Sequence, residues 1–122
     1  MARFLIVGQG ANASVLAEAL GREGHVVGGV EHVDRGALEH VAIVCWLDAS
    51  SPERFLLRSV DSSMRGFLYQ AGEHERSVSE TATRNSIPVA VLRADPLEIE
   101  AWLAAALLAI GSLLEGRVGA LS

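Results

Sequence analysis

The chain has 122 residues and a formal net charge of −5; half of it is hydrophobic but only 5% aromatic. That allows one domain, spanning 1–122, with a core of Val, Leu, Ile and Ala. The acidic balance gives neither nucleic acid nor an anionic membrane a basic face to bind. All ten basic residues are Arg, which excludes Schiff-base chemistry, a phosphate-binding P-loop lysine and a Tyr-x-x-x-Lys pair.

In chain order, Phe4-Leu5-Ile6-Val7 is a short apolar run ended by glycines, as in a strand buried on both faces. Residues 11–23 follow as a helix with Val15, Leu16, Ala19 and Leu20 on one stripe, stopped at Gly24. A second strand covers His25 to Val30 and ends at Glu31. Between strand and helix, Gly8-Gln9-Gly10-Ala11-Asn12-Ala13 has the form G-x-G-x-x-A. Gly8 suits a tight turn, Gly10 lets backbone approach a pyrophosphate, and Ala13 still allows close helix packing. The helix amino terminus adds unpaired N–H groups and partial positive charge. Glu31, at the end of the second strand, stands where an acid can accept hydrogen bonds from ribose hydroxyls. It favours NAD, while Arg35 and His32 keep NADP open. The expected nucleotide-binding residues are therefore Gly8, Gly10, Ala11, Asn12, Ala13 and Glu31.

Residues 34–39 read as a connector with one helical turn. Val41 to Leu47 is the strongest strand. Ser51-Pro52-Glu53 opens a helix carrying Phe55, Leu56, Leu57 and Val60. A fourth strand spans Gly66 to Tyr69, a short helix is expected over Ser77 to Arg84, and a fifth strand over Ile87 to Leu92. Asp95-Pro96 then caps a last helix that runs to about Leu114. Such alternation implies a three-layer, Rossmann-like α/β domain with a five-stranded parallel sheet. A first crossover to one side and a Val41 strand on the other predict the order 2-1-3-4-5, with the switch point beside Gly8.

Residues 3 to 31 resemble the opening of NAD(P)-binding Rossmann proteins, especially the epimerase-like and atypical short-chain dehydrogenase/reductases. Three later stretches are similar to strands of that superfamily: Val41 to Leu47, Met64 to Tyr69, and Ile87 to Arg93, where Ala94 replaces a usual Pro. The resemblance implies a dinucleotide cofactor. The chain, however, is about half the superfamily's usual length, and a strand-helix unit is missing between Glu31 and Val41. Where the family carries its catalytic Ser, this chain reads Gln70-Ala71-Gly72, and no family catalytic residue carries over. The expected function is therefore a minimal NAD(H)-binding protein acting as a sensor or a subunit. The alternatives are a small oxidoreductase or epimerase-like enzyme using residues near Cys45, Asp48 and Tyr69, and an interaction protein that has lost its ligand.

The four His residues lack metal-ligand spacing, and His25 reads as capping the loop before the second strand. A lone Cys45 in an apolar run reads as a buried small hydrophobe, and Asp48, Ser50 and Ser51 as helix-capping residues. Ala101 to Leu114 is too short for a bilayer, where about 20 residues are needed, and a cytoplasmic protein is expected. Leu97 to Leu114 is apolar around most of its circumference, which predicts a homodimer through this helix with Leu107 and Ile110 in the seam.

Overall fold

The computed structural model describes residues 3–8, 10–30, 41–48, 52–58 and 64–115. Five strands and four helices alternate: β1 (Arg3–Val7), α1 (Ala11–Arg22), β2 (Val26–Val30), β3 (Ile43–Trp46), α2 (Glu53–Arg58), β4 (Gly66–Gln70), α3 (Glu75–Arg84), β5 (Val89–Leu92) and α4 (Ile99–Glu115). The strands form one parallel sheet in the order β2-β1-β3-β4-β5. That is the order expected from sequence, in a Rossmann-like doubly wound domain.

Period-two alternation divides the strand residues between two cores. The row Ile6, Cys45, Leu68, Ala90, in register across four strands, faces α1 and α4. The row Val7, Trp46, Tyr69, Val91 faces the opposite core, which holds Phe55 and Leu56 of α2 and Val78 of α3. Trp46, Phe55 and Phe67 pack there with ring centroids 5.4 to 6.3 Å apart, a spacing favourable for aromatic contact.

The helices depart from expectation in which faces they bury. In α1 the covered residues are Ala13, Leu16, Ala17 and Leu20, the i, i+3, i+4, i+7 set of a helix lying flat on a sheet; Val15 and Ala19 sit at its margin. The α3 helix begins two residues early, because the His74 carbonyl accepts the N–H of Val78 and the hydroxyl of Ser77. The turn before α4 is closed by Asp95, whose Oδ1 accepts the Leu97 N–H at 2.9 Å, so helix proper starts at Ile99. Ile110 is buried in the core and Leu107 packs against that core. Ile110 thus faces the sheet together with Trp102, Ala106, Ala109 and Leu113, and not outward as a residue of the expected seam would. On the opposite face α4 leaves Leu108 65% exposed, and Leu97, in the turn before the helix, is 88% exposed. No helix among the described residues is long and apolar enough to cross a membrane. Val60 and the 34–39 connector lie outside the described residues.

Candidate functional site

The carboxyl ends of parallel strands form one rim, and the switch point lies where β1 separates β2 from β3. Two glycines there do different work. At Gly8, with φ +132°, an added Cβ would come within 3.1 Å of the Asp48 nitrogen and the Leu47 carbonyl carbon. Gly8 therefore lets the turn press against the end of β3, where the Leu47 N–H donates to the Val7 carbonyl at 2.8 Å. Gly10, with φ +113°, faces open space: a Cβ there would meet nothing within 4 Å.

Gly10 is also the N-cap of α1, with no side-chain cap and no acid in the first turn. The Gly10 carbonyl accepts the Ser14 N–H at 3.2 Å and starts the helical ladder. The first-turn N–H groups of Ala11, Asn12 and Ala13 thus point out of a helix end with no built-in negative charge. Beside them runs a groove of about 600 Å³, lined among others by Ile6, Gly10, Ala13, Ser14, Glu18 and Val27. It follows α1 from its amino terminus down to the pair of Glu18 with Arg22, along the flank of edge strand β2.

Of the expected nucleotide-binding residues, Gly8, Gly10, Ala11, Asn12 and Ala13 come together at this turn. Glu31 and Gln9 lie outside the described residues. The side chain of Asn12 has a structural partner: its Nδ2 donates to the Pro96 carbonyl at 2.9 Å, tying α1 to the turn before α4. The sequence spacing of 84 residues hid that contact. Hidden likewise was the bond from Trp102 Nε1 to Gln70 Oε1, at 2.6 Å. Gln70, at the position where the resemblance looks for a catalytic Ser, thereby anchors α4 to β4.

The residues of the enzymatic alternative are poorly placed for chemistry. Cys45 is fully buried in the middle of β3, and burial pushes its thiol up to about 12. A thiol held neutral in an apolar core is no nucleophile. Tyr69 is buried too; burial first, then the nearby carboxylates of Glu75 and Glu73, raise its pKa, against a lowering hydrogen bond from the His74 backbone. It therefore stays a neutral phenol. Asp48 is exposed at the rim. His25 packs edge-on against Phe4 with centroids 4.9 Å apart, and its N–H donates to the Leu20 carbonyl, closing α1. Among the described residues, no three His, Cys, Asp or Glu side chains converge as metal ligands would.

No protein-family model matches the chain, and no curated protein does. A solved structure described only as that of an uncharacterized protein is similar, with a TM-score of 0.55 and 18% identity over 96% of this chain and 98% of that one. At that identity the likeness supports the fold alone.

Proposed function

We propose that the protein is a minimal dinucleotide-binding domain, of the NAD(H) type, that receives the pyrophosphate at the amino terminus of α1 and does not itself catalyse a reaction. The observation that carries this reading is Gly10. It holds a left-handed backbone angle at an uncapped helix start, with open space where a side chain would sit. A glycine kept for packing would be crowded, as Gly8 is. An oxyanion needs bare backbone N–H groups with room in front of them, and Gly10 leaves that room. Glu31 follows the last residue of β2 in the chain and favours NAD over NADP. The superfamily resemblance of residues 3 to 31 belongs to the same reading. So does a cytoplasmic homodimer, supported by the apolar side chains that α4 leaves in solvent.

A substituent at Gly10 finds space but a strained backbone, so Gly10→Val blocks the site and disturbs the turn together. Ser14→Asp separates the two effects. Ser14 is exposed in the groove, one position after the first turn. A carboxylate there stabilises the helix by about 0.3–1 kcal/mol while repelling phosphate. Calorimetric titration with NADH should show binding to the native protein and at least about tenfold weaker binding to Ser14→Asp, a difference of about 1.4 kcal/mol. A variant of equal or higher melting temperature that binds NADH undiminished would place the site elsewhere, and native protein that binds no dinucleotide would end the reading.

A further inference from the structure

We propose that the nicotinamide half of the dinucleotide crosses the ends of β3 and β4, with Asn12 accepting a hydrogen bond from its ribose and Gln70 donating one to its carboxamide oxygen. This rests on the dinucleotide reading and extends it from the backbone of α1 to two side chains.

Both side-chain amides are held at one end only. Asn12 donates through Nδ2 to the Pro96 carbonyl at 2.9 Å, and Gln70 accepts the indole N–H of Trp102 at Oε1, at 2.6 Å. These partners fix which way round each amide sits, because a carbonyl can only accept and an indole N–H can only donate. What is left over is therefore determined. Asn12 keeps its Oδ1 acceptor and Gln70 keeps the two N–H donors of Nε2, and neither atom has a partner among the described residues. Both side chains are half-buried and already anchored, so a ligand does not have to order them.

The fold sets the two amides in the order that the ligand's own groups follow. Asn12 stands in the first turn of α1, beside the N–H groups that receive the pyrophosphate in the proposed site. Gln70 ends β4, two places from β1 in the sheet, which is about 10 Å at the usual strand spacing. Ribose and pyridine ring follow the pyrophosphate in that direction. Leu47, at the end of β3 between them, packs half-buried against the core that α1 and α4 share. It offers the ring an apolar floor. The groove toward Val27 and Gly28 of β2 leaves the turn on the other side, so the two halves of the ligand part at the switch point. A neutral donor at Gln70 suits a neutral carbonyl oxygen, the group that the nicotinamide end carries.

Calorimetric titrations with NADH, ADP-ribose and ADP test the assignment on the whole chain. ADP-ribose keeps the pyrophosphate and second ribose but lacks nicotinamide, and ADP lacks that ribose as well. Native protein should bind NADH at least about tenfold more tightly than ADP-ribose. Gln70→Glu keeps an acceptor for Trp102 and loses both donors, so it should weaken NADH at least about tenfold and leave ADP-ribose unchanged. Asn12→Ala should weaken NADH and ADP-ribose alike and spare ADP. Native protein that binds NADH no better than ADP-ribose, or a Gln70→Glu protein that binds both as native does or loses both equally, overturns the role of Gln70 and leaves the nucleotide site standing. Equal loss of ADP and ADP-ribose in Asn12→Ala overturns the role of Asn12 in the same way. Native protein that binds none of the three overturns the dinucleotide reading itself.

Discussion

Ser86 has φ +56°, in the left-handed region that glycine occupies at low cost. It follows the C-cap of α3, where the Ile87 N–H donates to the Ala82 carbonyl and the Ser86 N–H to that of Thr83. The same helix-closing pair ends α1, with Gly24 in the left-handed place. A serine there carries the Cβ penalty without relief, so Ser86→Gly should raise stability by about 0.5–1 kcal/mol, read as a shift of the urea midpoint at unchanged slope. A loss of stability would mean that the serine hydroxyl has a role of its own. Cys45 gives a second expectation at this scale. Its pKa rises from 9.0 in the open chain to about 12 in the fold. A raised value stabilises the fold fully below about pH 9, where thiol is protonated in both states, and that contribution is lost as pH rises toward 12. Native protein should resist thiol reagents at pH 8 and label on unfolding, and Cys45→Ala should flatten the loss of stability in alkali. Rapid labelling of the folded protein would contradict the buried thiol.

Packing of whole elements turns on how closely α4 lies on the sheet. Gly66 falls in the row with Phe4 and Ile43, directly under Leu113. A Cβ at Gly66 would come within 2.9 Å of the Ile43 side chain and 3.1 Å of Leu113. Gly66→Ala should therefore lift the carboxyl end of α4 and cost about 1–3 kcal/mol by overpacking. A thermal denaturation midpoint unchanged from native would show that the helix yields freely. The element level is also where sequence was most and least informative. Strands β1, β3 and β4 were legible because uninterrupted apolar runs bounded by polar or glycine residues describe strands buried on both faces. The strand order followed from a first crossover to one side of β1 and a Val41 strand on the other. The faces of α4 were not legible. Its apolar residues nearly encircle it, so periodicity could not say whether Ile110 or Leu108 meets the sheet. Only the neighbours do: Gly66 beneath Leu113 and Gln70 beneath Trp102, both brought close by topology and not by local pattern. The candidate site divides in the same way. Its backbone features were written in Gly8 and Gly10, whereas the partner of Asn12 lies 84 positions away.

That distant contact gives the whole molecule a connection between its two proposed surfaces. The Asn12 amide stands in the first turn of α1, beside Gly10, and holds the Pro96 carbonyl at 2.9 Å. The next residue, Leu97, is an exposed apolar side chain in the turn that leads into α4, and its N–H is fixed by Asp95. A dinucleotide that orders the start of α1 and a second copy that orders Leu97 therefore favour one and the same placement of the 95–98 turn. Two events that stabilise a shared arrangement are coupled, and the coupling is reciprocal. NADH at saturation should tighten the dimer about 5-fold or more, at the lower end of such couplings, and NADH affinity should rise by the same factor as protein concentration passes the dimer dissociation constant. In Asn12→Ala the amide that joins the turn to α1 is gone, and saturating NADH should leave the dimer dissociation constant where it was. Sedimentation equilibrium of the native protein with and without NADH decides the matter. If nucleotide and partner both bind, yet neither changes the affinity for the other, the Asn12 to Pro96 contact joins two elements of the fold without joining their functions.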